Sequence, residues 1–144
     1  MAIYANADTE RMTFICGDKA KTSTSQYRIA VLDASMTVSV VGSSGAYKNV
    51  IGVIDSFQSS SSEAVSVVMH GLAKVFMGVS CTAGDPLISD ASGTAAPLVA
   101  YTITSISTGT SALSNTNVIL GTALQGGITS GAMMCFVNTQ KVFQ

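Results

Sequence analysis

The sequence predicts an all-β fold, a small β-barrel or β-sandwich preceded by an extended N-terminal arm. Three observations carry that expectation. Apolar and polar residues alternate in several short runs, such as "QYRIAVL" and "MTVSVV". Clusters of Gly, Ser, Asn, Asp and Pro punctuate those runs at the intervals of sandwiches and barrels. No segment holds a 3.6-residue apolar period between helix caps, so little helix is expected.

The first element is the arm, residues 1–24. "ANADTERM" and "GDKAKTSTS" flank a short apolar "TFIC", and the segment carries Asp8, Glu10, Arg11, Asp18, Lys19 and Lys21. Its apolar content is too small for it to fold alone, and such a segment gains order on a partner surface. Arg11, Thr13, Phe14, Ile15, Lys19 and Lys21 are therefore the candidate contacts with a partner or a neighbouring subunit, with "TFIC" as anchor. The alternative is that residues 11–16 are the first strand of the domain, behind a frayed tail.

The main domain is expected over residues 25–144. "QYRIAVL" places Tyr27, Ile29 and Val31 on one face, and "MTVSVV" places Val38 and Val40 on one face. "GSSG" at 42–45 follows as a turn. "NVIGVI" and "EAVSVVM" flank the polar "DSFQSSSS" and read as a hairpin. "LAKVFM" is the next strand, before a turn-rich stretch through Gly84, Pro86 and Gly93. "YTITSI" alternates again, ahead of "STGTSALSNT". "NVILGTAL" and "GAMMCFV", split by "QGGITS", close the chain.

An internal echo runs through this pattern. "NVIGVIDSFQSSSSEAVSVVMHG" and "NVILGTALQGGITSGAMMCFVNT" both open on Asn-Val-Ile, carry a glycine in the first run, and pass through a polar loop to an alanine and a second apolar run. Two similar hairpins packed together would produce it, and so would chance likeness between β-hairpins.

Composition limits the function. Of 144 residues, 47% are apolar and 10% charged, with a formal net charge of −1. Such a chain has no basic field for phosphate backbones, so no nucleic-acid partner is expected. Polarity returns as hydroxyls, with 20 Ser and 15 Thr. No Asp, Glu, Lys or Arg occurs between Asp90 and Lys141. That uncharged half fits a surface buried in an assembly; a neutral, hydroxyl-rich free surface is the alternative. No apolar run reaches the 18 or so residues of a membrane span, and no h-region marks a signal peptide, so no membrane partner is expected. Cys16, Cys81 and Cys135 are odd in number and widely spaced, and are read as buried free thiols rather than a disulfide or zinc motif.

The richest stretch for chemistry is residues 70–95, with the single histidine, a cysteine and two aspartates. A general base needs an orienting acid and a nucleophile within reach. His70 instead ends "VSVVM" and precedes Gly71, so a bend is expected there. "AGDPL" and "SDASG" are turn chemistry: Asp accepts local backbone hydrogen bonds, Pro presets φ, and Gly takes positive φ. Neither a phosphate loop nor a G-x-S-x-G elbow is present, so no catalytic residue, cofactor or metal site is expected. The seven Met lack helical spacing and read as fillers of a core or an interface.

With those residues in view, the order of motifs resembles the small decoration, or cement, proteins of tailed-phage capsids, in particular the DUF2190-like pattern. "QYRIAVL" stands for its first strand, followed by "IGV", a polar loop, "AVSVVMHGLAKV", "AGDPL", "SDASGTA", "GTAL" and a closing hairpin strand. The likeness spans residues 25–137. It departs in "MMCFV", where valines and leucines are usual, and in the scarcity of charge in the second half. The resemblance implies a small β-barrel or β-sandwich on the outer face of an icosahedral head. There it would bridge neighbouring capsomers by contact with the major capsid protein, commonly as a homotrimer. A tail-tube or head-completion subunit and a surface adhesion module are the rival readings.

Overall fold

A computed structural model describes residues 9–17, 26–34, 36–40, 49–56, 63–90, 92–98, 118–127 and 130–141. Among these residues the chain forms nine β-strands and no α-helix. They are β1 (Glu10–Cys16), β2 (Ile29–Ala34), β3 (Thr37–Val40), β4 (Val50–Ile54), β5 (Ala64–Phe76), β6 (Pro86–Ser89), β7 (Ala95–Pro97), β8 (Val118–Ala123) and β9 (Ala132–Lys141). The all-β expectation holds. The turn at 42–45, the serine-rich loop tip and the "YTITSI" strand lie outside the described residues.

The hydrogen-bonded order is β1-β3-β2-β4-β5-β9-β8-β6-β7, and β1 also pairs with β5. Strands β1, β3, β2, β4 and β5 therefore close a five-stranded barrel. Closure removes most of the unpaired edges that an open sheet would leave. Beyond it, β5 continues into β9, β8, β6 and β7, and a parallel bridge from Met77 to Ala95 brings β7 back to the end of β5. The outcome is two rings sharing one 13-residue strand.

Each ring has its own core. Phe14, Cys16, Ala30, Val38, Val40, Ile54, Val65 and Val67 fill the barrel. Ala73, Val75, Met77, Leu87, Leu120, Met133, Cys135 and Val137 fill the second ring, joined by Ile29, Val31, Val53 and Val68 from the barrel wall. The wall strand β4 and the first half of β2 are thus buried on both faces. That is why "VIGVI" is a continuous apolar run with no alternation.

Strand β5 must serve both cores. Val68 and Ala73 belong to the same core although an odd number of residues apart, so the in–out alternation changes phase between them. The change falls at Gly71, whose φ of 101° suits only glycine. The sequence shows "EAVSVVM" and "LAKVFM" as two strands split at His70–Gly71; they are one strand, bent there.

The internal echo is a real structural repeat. β4–β5 and β8–β9 are both antiparallel hairpins. Val53 faces Val68 and Ile54 faces Val67; correspondingly, Thr122 faces Phe136 and Ala123 faces Cys135. The extra residue of "NVILG" is absorbed as a register irregularity between Ile119 and Gly121. A Cβ on Gly52 would lie 2.1 Å from the Val68 carbonyl oxygen, and one on Gly121 1.9 Å from that of Phe136, the matching residue of the second copy. Each glycine lets its strand cross close over its partner's backbone. In the β5–β9 ladder His70 faces Asn138, its own counterpart in the repeat. A pseudo-two-fold axis passes between them.

The arm reading needs correction. Residues 10–16 are β1, antiparallel to β5 and parallel to β3, and they close the barrel. Met12, Phe14 and Cys16 alternate with Arg11, Thr13 and Ile15, and Phe14 and Cys16 are core. Burying that alternating face stabilises the strand in place, so the barrel starts at Glu10 and not at residue 25.

Candidate interaction surfaces

The turn chemistry around residues 70–95 has the expected form. Asp85 Oδ2 accepts the Thr82 N–H at 2.8 Å. Asp90 Oδ1 accepts the Ser92 and Thr94 N–H groups at 2.8 and 2.9 Å, and the Thr94 hydroxyl donates to Oδ2. Gly84 and Gly93 have φ of 96° and 74°. The second turn also ties the two rings together. Ile29 N–H donates to the Gly93 carbonyl at 2.8 Å, and Arg28 Nη1 donates to the Ser92 carbonyl at 2.6 Å. His70 is exposed, with its ring edge-on to Phe136 at 5.2 Å. Among the described residues no group of three or more His, Cys, Asp or Glu is placed to hold a metal ion.

None of the three thiols is in a disulfide, and all are buried. Burial pushes the Cys135 thiol up to about 12. Cys81, 3.6 Å from the Met133 sulfur, is also raised, first by burial and then by the Asp85 carboxylate. Both are held as neutral thiols, the form with the weakest nucleophilic and metal-binding power.

The six residues expected to make contacts do not form one group. Phe14 is 6% exposed and packs in the barrel core, so it is withdrawn as a contact: β-strand alternation turns it inward. Arg11, Thr13 and Ile15 alternate with it and are exposed. Arg11 already has a partner in the chain, Asp55, whose Oδ2 lies 2.9 Å from Nε. An ion pair this exposed contributes about 0–1 kcal/mol. Lys19 and Lys21 lie outside the described residues.

Sequence reasoning missed what surrounds β1. Among the large apolar side chains left exposed, Ile15, Leu32 and Met36 lie by the β1–β3–β2 pairing, and Met12 lies farther along β1, opposite Val67 of β5. The Ile15 N–H donates to the Met36 carbonyl at 2.7 Å, Ile15 pairs with Thr37, and Leu32 pairs with Val38. The methionines at 12 and 36 were the available signal. Met is common on surfaces that adapt to a partner.

The strand itself is incompletely paired. The Cys16 N–H donates to the Glu63 carbonyl just before β5, while Ile15 and Gly17 donate to Met36 and Val38 on the β3 side. Even-numbered residues of β1 therefore bond to β5 and odd-numbered ones point toward β3. The β1–β3 pairing covers only Ile15 and Cys16. Among the described residues, the backbone N–H and C=O groups of Arg11 and Thr13 face an open edge.

With this geometry in view, the fold defines the chain as an all-β protein built from a closed five-stranded barrel and a second ring that shares β5 with it. The same fold occurs in the crystal structure of the head fiber gp8.5 N base in bacteriophage phi29, with a TM-score of 0.53 and 14% sequence identity. The likeness covers 94% of this chain and 99% of that one. No family model matches the sequence, and no curated protein matches it either.

Proposed function

We propose that this chain is a non-enzymatic structural protein of a tailed-phage virion, a decoration protein that binds the outer surface of the head. In this reading it contacts the major capsid protein and ties neighbouring capsomers together as a homotrimer. One observation carries the proposal: the fold it shares with a phage head fiber base extends over nearly the whole of both chains. The order of motifs that resembles the DUF2190-like decoration proteins adds to it, as does the uncharged stretch from residue 91 to 140.

Imaging heads assembled without this chain, before and after adding the purified protein, tests the proposal. Regular new density on the outer face is expected. Density confined to the tail or the portal vertex, or none, overturns it. Light scattering coupled to size exclusion, on free and head-released protein, is expected to give three times 14.7 kDa. A monomer in both states removes the trimer.

A further inference from the structure

We infer that the open edge of β1 at Arg11 and Thr13 is a strand-addition site, taking an extended, uncharged segment of the protein that forms the head surface. The inference rests on the proposed function and specifies where that contact is made. An exposed edge presents backbone donors and acceptors at two-residue intervals, and only another extended backbone satisfies them in register. Here the Arg11 and Thr13 N–H and C=O groups point away from β5, just where β3 stops short.

The side chains around the edge define the partner's chemistry. Met12, Ile15 and Met36 are 48%, 46% and 49% exposed, and Leu32 is 37% exposed. Among the described residues, Arg11 is paired with Asp55, and Glu10 is the exposed charge at the start of the strand. Past Glu10 an incoming strand would meet mainly apolar side chains, which favours uncharged, apolar residues at its centre.

Size argues against a second copy of this chain as the occupant. At about 25 cal/mol per Å², fully burying one such side chain corresponds to roughly 60–120 Å². Four side chains exposed by somewhat under half thus offer on the order of 200 Å². A stable pairwise interface needs about 800 Å² per partner. A contact this small holds when several copies are linked in one oligomer, such as the proposed trimer, and engage an array together. The surface of a head provides that array.

The alternation of β1 makes the test clean. Thr13→Pro removes an N–H that bonds nothing within the described residues and leaves the bonds of residues 12, 14 and 16 to β5. A proline is tolerated where a strand's N–H faces outward. Met12→Lys sets a charge beside the same edge without touching the backbone. Both variants and the wild type are mixed with heads assembled without this chain, and occupancy is titrated; thermal melts establish that the variants are folded. The expected result is wild-type melting with at least tenfold weaker head binding for both. Wild-type affinity in a folded Thr13→Pro protein, or in folded Met12→Lys if the proline variant does not fold, overturns strand addition and leaves the decoration reading intact. Failure of the wild type itself to bind heads overturns the decoration reading, and this inference with it.

Discussion

Replacing Gly121 by alanine is expected to destabilise the fold by about 3–5 kcal/mol, and replacing Gly52 by a similar amount. The new Cβ on Gly121 would lie 1.9 Å from the Phe136 carbonyl oxygen, and on Gly52 2.1 Å from that of Val68, where real Cβ atoms stay beyond 3.0 Å. The obstacle in each case is backbone, which cannot rotate aside. The strands must separate locally by on the order of 1 Å, which takes a ladder hydrogen bond from about 2.9 Å to beyond hydrogen-bonding distance. Two such bonds are worth about 1 kcal/mol each, and overpacking strain adds about 1–3 kcal/mol. At roughly 3–5 °C per kcal/mol for a chain of this length, the melting temperature falls by about 10–25 °C. Gly84→Ala is the control: nothing lies within 4 Å of its new Cβ, but φ is +96°, so it carries only the backbone penalty of about 1–2 kcal/mol. Thermal and urea denaturation of the three variants would decide. Melting of both Gly52→Ala and Gly121→Ala within 2 °C of wild type would refute the close-approach argument. A large loss at one site and none at the other would refute the equivalence of the two hairpins.

The remaining predictions concern the buried groups. Cys135 ionises at 9.0 when unfolded and at about 12 when folded, so its contribution to stability is constant below pH 9 and is lost as the pH rises toward 12. Urea midpoints from pH 8 to 11 should show that fall, and Cys135→Ala should reduce it. Alkylation at pH 8, read by mass spectrometry, should leave all three thiols unmodified in the folded protein and modify all three in denaturant. Asp90→Ala should cost about 1–3 kcal/mol, because two turn N–H groups and the Thr94 hydroxyl lose their acceptor; Asp90→Asn, which keeps an oxygen, should cost less in the same denaturation assay.

Much of this fold is legible in the sequence, and the exceptions have physical causes. Val38 and Val40 share the barrel interior as their alternation predicts, and Ile29 and Val31 share the second core. Tyr27, expected on the same face, instead sits in a turn at φ 64°. β1 was obscured because the charges at 8, 10, 11, 18, 19 and 21 outweigh an alternation only three apolar residues long. The union of two runs into β5 is invisible locally, since a glycine between strands ordinarily marks a turn. Here β9 pairs continuously across it, from His70 to Phe76. The open edge at Arg11 and Thr13 depends on where β3 ends relative to β1, and no property of either segment alone determines that register.

The strand held in common by the two rings also governs how the molecule comes apart. Neither ring can lose β5 and remain closed, so neither offers a stable half-folded state once the other has opened. Denaturation should therefore be a single cooperative transition, with core amides of both rings exchanging through the same global opening. In the role proposed above, on the surface of a phage head, a domain of this kind would have no intermediate to rest in: under stress it stays whole, or it is lost at once.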